Sequence, residues 1–139
     1  MGDLSENFSS AEFACRCGCG FDQVNGRLLE VLEAARSTLF GRRMVLLSGC
    51  RCQDHNRSSG GSRLSQHVGF HWDEVRQDFV PGECCAADIL VESTLHRYYL
   101  VMALLMAGAT GIGVAKSFVH ADVGNPRFPE IVRPALWNY

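Results

Sequence analysis

Charge of either sign is not in excess in this sequence: 13 basic and 15 acidic side chains leave a formal net charge of −2. General affinity for nucleic acid or for an acidic membrane surface needs a basic face, so both partners are excluded. Long hydrophobic runs are also missing. The apolar run at 100–107 falls far short of the roughly 20 residues of a membrane span, and no N-terminal stretch joins a basic start to an apolar core as a signal peptide does. The expectation is a chain made in the cytoplasm, with no signal peptide and no membrane span. Neither an internal repeat nor a low-complexity segment is present, which excludes a repeat array or a disordered tether. An even cysteine count is lacking as well. There are seven, at 15, 17, 19, 50, 52, 84 and 85, so at least one thiol must stay free, bind metal or pair outside the chain.

What is present suffices for one core. With 139 residues, 47% of them hydrophobic and 20% charged, residues 1–139 are expected to form a single compact soluble domain, a monomer. Residues 1–7 are polar and expected to be loosely held. Ser9-Ser10-Ala11-Glu12 has the spacing of a capping box, with Phe8 and Phe13 anchoring the turn it opens. Residues 27–40 repeat Leu28, Leu29, Val31, Leu32, Ala35 and Leu39 at helical spacing, with Glu30, Glu33 and Arg36 toward water and Gly41 as the cap. A strand is expected at 44–47 and a largely buried helix at 94–107, entered at Ser93, in which His96 is structural or solvent-facing. Glycines at 108–113 end that helix and open a hairpin, and would let the backbone pass close to a ligand. This order suggests an α+β domain: a small, mostly antiparallel sheet with helices on one side and a metal site on the other.

The chemistry concentrates in three places. Ser48-Gly49-Cys50-Arg51-Cys52-Gln53-Asp54-His55-Asn56-Arg57 leaves a strand and runs through a glycine-rich turn into Leu64-Ser65-Gln66-His67, a polar segment that is costly to order unless its side chains are used. Ala86-Ala87-Asp88-Ile89-Leu90-Val91 is an apolar strand pattern broken by one carboxylate. In Ser117-Phe118-Val119-His120-Ala121-Asp122-Val123, strand alternation puts Phe118, His120 and Asp122 on one face. Two imidazoles and a carboxylate are the ligand set of a zinc ion that keeps a position open for water, so His67, Asp88 and His120 are the candidate ligands of one catalytic Zn2+. His55 and Asn56 are read as stabilising their loop. Cys15, Cys17 and Cys19 do not match zinc-finger spacing. Buried or paired thiols are expected there, ahead of a structural metal shared with Cys50 or Cys52. A thiol enzyme ranks last, because no Cys-His pair stands out by spacing.

Taken in order, Ser-Gly-x-Arg-Cys-x-x-His-Asn-Arg, Ser-x-His, Ala-Ala-Asp-Ile and Phe-Val-His-x-Asp-Val resemble the zinc D-alanyl-D-alanine carboxypeptidases and related phage and bacterial peptidoglycan peptidases, metallopeptidase family fifteen. The likeness extends from the opening Phe8–Cys19 motif to Trp137. It implies a zinc-dependent peptidase acting on peptidoglycan stem peptides, as a carboxypeptidase or an endopeptidase, through metal-activated water. Arg51 matches the family's arginine, for substrate binding and for the developing oxyanion. Ser65 is implied as a hydrogen-bond partner that orients the metal site. A non-catalytic zinc-containing binding or structural domain of the same fold is the alternative. Such a protein acts at the cell wall if released, as a phage lysin is, or else works in the cytoplasm.

Two departures from the family pattern carry expectations of their own. His67 and Asp88 stand 21 residues apart instead of seven, so about 14 residues are inserted within 68–87. Such an insertion is expected to form a lid or substrate-binding loop. It also offers His71 as a rival ligand, with Gly82 in the place of the family's glycine. Related branches put an acid or a histidine two or three residues before the last ligand, where this chain has Phe118 and Ser117. Asp122 is therefore the nearest candidate base, a structural role being open to it, with Glu83 and the acids of the insertion as fallbacks.

Overall fold

Local signals set the ends of the helices. Glu12 reaches back to the Ser9 amide at 2.9 Å, the Asn25 side chain accepts from the Arg27 amide at 2.9 Å, and Ser93 Oγ accepts from His96 N at 3.0 Å. Each satisfies a backbone donor that a helix start leaves without an intrahelical partner. The computed structural model describes residues 2–124 and 130–139. Its elements in chain order are α1 (Ser10–Phe13), α2 (Gly26–Thr38), β1 (Leu46–Ser48), α3 (Gln53–Ser58), β2 (His71–Asp73), β3 (Asp78–Val80), β4 (Ala86–Leu90), α4 (Thr94–Ala107), β5 (Gly111–Val114), β6 (Phe118–Asp122) and β7 (Ala135–Asn138).

The main sheet has the order β1-β4-β6-β5-β7. Its pairs are antiparallel except β5 with β7, which run parallel. The architecture is α+β, as expected. Ala87, Ile89, Ile112, Val119 and Ala121 of the sheet join Leu28, Val31, Leu32 and Ala35 of α2 and Leu100, Ala103 and Leu104 of α4 in one buried core. Burying a Leu or Ile side chain contributes roughly 1.5–3 kcal/mol relative to exposure, so alternation along β4 and β6 commits one face of the sheet to the helices. The other face is left with Asp88 and His120.

Several local expectations shift. β1 begins two residues later than predicted, at Leu46, and its pairing with β4 is irregular between Leu46 and Ser48. The N-terminal segment is tied down: Asp3 accepts from Ser10 N and Oγ at 2.7 Å each, and Glu33 accepts from Ser5 Oγ and from Asn7. Glu33 is thus a clamp and not a water-facing charge. Helix α4 buries one side only, leaving Leu95, Tyr98, Tyr99, Leu105 and Met106 exposed. His96 is buried and accepts from the Glu92 amide at 3.2 Å. The insertion folds into its own two-stranded sheet, β2 with β3. No helix among the described residues is long and apolar enough to cross a membrane.

Candidate metal centre

Register places the first two functional side chains. Asp88 on β4 stands directly opposite His120 on β6, His120 opposite Gly113 on β5, and Gly113 opposite Trp137 on β7. Directly opposed side chains on one face are within reach of each other, and His120 Nδ1 lies 3.0 Å from Asp88 Oδ1. The third arrives from a loop. Arg51 N donates to His67 O at 3.0 Å and Cys85 N to Gln66 O at 2.8 Å, while Ser65 Oγ accepts from His67 N at 3.3 Å. So held, His67 Nε2 lies 3.2 Å from Asp88 Oδ1. Ligand atoms of His67, Asp88 and His120 all fall within 4.8 Å of one another, and all three residues are buried.

The outer nitrogens decide what the inner ones present. His67 Nδ1 is 2.6 Å from the Gly49 carbonyl, which can only accept, so the proton sits on Nδ1 and Nε2 turns a lone pair inward. His120 Nε2 is 2.9 Å from Asp122 Oδ2, and the same reasoning turns Nδ1 inward. Two imidazole lone pairs therefore face one carboxylate oxygen. Acceptors at such distances repel unless a cation lies among them, and imidazoles locked by outer hydrogen bonds are how proteins prepare histidine to bind metal. The donor set fits zinc.

Electrostatics point the same way. Burial lowers the pKa of His67, outweighing the raising effect of Asp88, so it stays neutral. Burial works against the charged form of Asp88 too, but its neighbours His120 and His67 outweigh it and hold the carboxyl well below its ordinary range. For His120 burial is outweighed in turn by Asp122 and Asp88, and its pKa rises. The centre thus combines a neutral imidazole, an ionised carboxylate and an imidazole whose affinity for a cation is strengthened from both sides.

A sequence model of the peptidase M15 family matches residues 6–122. The chain belongs to that family. A comparison with curated proteins finds no match. Family membership makes the chain a metallopeptidase by descent, and M15 peptidases depend on a metal, for which His67, Asp88 and His120 are the possible ligand groups here.

Around these three residues lies a cavity of about 490 Å³, with Arg51, Gln66, Phe118, Trp137 and Tyr139 in its wall. Arg51 Nη2 is 3.3 Å from Asp88 Oδ2, and its Nε reaches Ser48 Oγ at 3.3 Å. Asn56, buried, spans from Arg51 to the glycine turn: its Oδ1 is 3.5 Å from Arg51 Nη1 and its Nδ2 donates to Ser62 O at 2.9 Å. His71, the rival ligand, stays apart from the triad. Its Nδ1 is 3.5 Å from Gly69 O, and it lines a separate cavity of about 290 Å³ beneath the β2–β3 hairpin.

Asp122 does not offer a free oxygen. Arg133 grips it at both ends, Nε to Oδ1 at 2.7 Å and Nη2 to Oδ2 at 2.6 Å, Gly124 N adds 3.1 Å to Oδ1, and His120 takes the rest. Burial alone would raise its pKa, but His120 and Arg133 lower it to about 2. It also lies on the opposite side of the His120 ring from Asp88. A base must receive a proton at the reacting water, and both Asp122 oxygens are instead engaged by Arg133, Gly124 and His120. The fallbacks lie elsewhere. Glu83 is exposed and accepts from Asn25, and Asp73 caps its own hairpin turn through Val75 and Arg76.

The residue that sequence reasoning missed is Arg133, eleven positions beyond its partner. The glycines of β5 belong to the same arrangement. A Cβ at Gly111 would meet Asp122 Oδ2 at 2.4 Å and Arg133 Nε at 2.6 Å, and one at Gly113 would meet Trp137 Nε1 at 2.6 Å. Their close approach is to the protein's own ion pair and indole, and the expectation of a ligand passing there is replaced by this packing.

Proposed function

We propose that the chain is a zinc peptidase that hydrolyses stem peptides of peptidoglycan, working as a monomer and reaching the wall after release from the cell. The observation that carries this reading is the inward turn of two histidine lone pairs onto Asp88 beside Arg51, at the wall of an open cavity in an M15 chain. His67, Asp88 and His120 would hold a zinc ion, which when bound would supply Lewis-acid polarisation of the scissile carbonyl and a more acidic water. Arg51 directs its planar fork into the cavity, toward the carbonyl oxygen or the terminal carboxylate of the peptide. Ser65 fixes the backbone of His67, and Asp122 with Arg133 fixes the tautomer and tilt of His120. Burial raises the pKa of Tyr139, so it stands in the cavity as a neutral hydrogen-bond donor.

Gln66 lines both this cavity and the one under the β2–β3 hairpin. The inserted hairpin accordingly extends the substrate groove, with Trp72 and Phe79 as an aromatic wall. Digestion of purified peptidoglycan tests the reading. The expected result is stem-peptide cleavage or release of a terminal D-alanine, abolished by a chelator and restored by zinc. Intact muropeptides in the presence of stoichiometric zinc would favour a second reading, a zinc-containing binding domain. One observation speaks for that alternative: among the described residues lining the cavity, the carboxylates are Asp88 and Asp122, and both are engaged.

Asp122→Asn separates positioning from catalysis. As a positioning residue it should weaken zinc affinity by about 10–100-fold, the range for outer hydrogen-bond partners of metal ligands, and activity should return at saturating zinc. A variant that holds zinc as tightly as the parent but stays slow would instead restore Asp122 to the role of base.

A further inference from the structure

A second cluster of ligand-type side chains lies outside the peptidase centre. The sulfurs of Cys15, Cys17, Cys19 and Cys52 all lie within 4.8 Å of one another. Cys15 Sγ is 3.4 Å from Cys17 Sγ, and Cys17 Sγ is 3.7 Å from Cys52 Sγ. A tetrahedral ion with metal–sulfur bonds of about 2.3 Å separates its ligands by about 3.8 Å, and a disulfide would need about 2.0 Å. The spacing is that of ligands around a point and not of paired thiols.

Chain geometry explains how the four meet. Residues 15–18 close a turn, Gly18 N donating to Cys15 O at 3.1 Å, and Gly18 and Gly20, at φ 81° and 83°, curl the loop so that its three cysteines bunch together. The fourth comes from another element. Cys52 is the N-cap of α3, and Cys50 N donates to Phe13 O at 2.7 Å, which docks the two segments. Donors already surround the sulfurs: Cys52 N lies 3.3 Å from Cys15 Sγ, His55 N 3.3 Å from Cys52 Sγ, and His55 Nδ1 3.2 Å from Cys15 Sγ. Amide and imidazole donors aimed at sulfur are the support that thiolate ligands receive in metal sites.

We infer that Cys15, Cys17, Cys19 and Cys52 bind a second metal ion, a zinc held tetrahedrally by four thiolates with His55 donating to Cys15. Four sulfurs and no water position make it a closed, structural site. Its place in the fold gives it a purpose. Cys52 follows Arg51 directly, so the ion fastens the loop of residues 15–19 to the start of α3 and fixes the segment that carries the cavity's arginine.

Metal counting in the full chain tests this independently of the peptidase reading. In a His67→Ala/His120→Ala background, where the first centre is dismantled, about one zinc per chain should remain. Cobalt exchanged into that protein should show thiolate-to-cobalt charge transfer and the strong visible bands of a tetrahedral site. Cys17→Ser/Cys19→Ser, at two exposed positions, should abolish both the bands and the remaining ion, and Cys85→Ser should leave them unchanged. Should the serine variant fail to fold, the parent can be titrated with a mercurial: blocking four thiols should release one ion to a chromogenic chelator. The proposal is overturned if the background chain holds no metal, if its four thiols alkylate freely under native conditions, or if intact mass shows them as disulfides.

Discussion

Replacing His120 with alanine is expected to lower the zinc content by one ion per chain and to abolish peptidase activity while the sheet stays folded. Three protein ligands leave little redundancy, and a lost ligand should cost more than the 10–100-fold in affinity typical of an outer hydrogen-bond partner. Removal of His120 is the most severe case, because it breaks the contact with Asp88 and leaves Asp122 facing a hole on one side. His67→Ala and Asp88→Ala should lose the same ion. His71→Ala should not, since its ring sits over Gly69 and lines the other cavity. Elemental analysis after gel filtration, with circular dichroism as the check on folding, reads all four. Full zinc in His67→Ala together with loss in His71→Ala would overturn the ligand assignment.

Arg51→Ala is expected to keep zinc and reduce kcat by about 100–1,000-fold, the range seen when one donor to a developing oxyanion is removed. Arg51 is anchored by Ser48, Asn56 and Asp88, so its guanidinium is oriented before substrate arrives and loses little freedom on binding. Arg51→Lys should recover little, because a lysine keeps the charge but cannot present two parallel donors. A loss confined to KM would assign Arg51 to holding the peptide's carboxylate, and unchanged kcat and KM would reduce it to a structural role. Zinc measured in the same samples separates this from damage to Asp88.

How far the centre was legible depends on how local each of its parts is. The Phe118–Asp122 alternation and the Ala-Ala-Asp88 strand could be read because strand period alone decides which side chains share a face. Ser65-x-His67 could be read as part of the site because polar side chains are costly to order unless they are used. The limits of α4 followed from Ser93 and Gly108, at opposite ends of one apolar stretch. The role of Asp122 could not be read. Adjacency to His120 on one face made it a candidate base, and nothing nearby in sequence announces the arginine that occupies it.

The sequence by itself determined the family, the α+β order of elements and the set of side chains able to bind metal, because these rest on short-range pattern and on residue chemistry. Tertiary structure decided which of them meet and in what state. The register of β4 against β6 set Asp88 beside His120, and the Gly49 carbonyl chose the tautomer of His67. The parallel pairing of β7 with β5 carried Arg133 back to Asp122, where it engages both carboxylate oxygens beside His120. Docking of the 13–15 segment against residue 50 brought Cys52 to three cysteines that lie some 35 residues earlier. Contacts of this kind depend on how separate elements pack, and a pattern read along the chain holds no information about partners that only packing supplies.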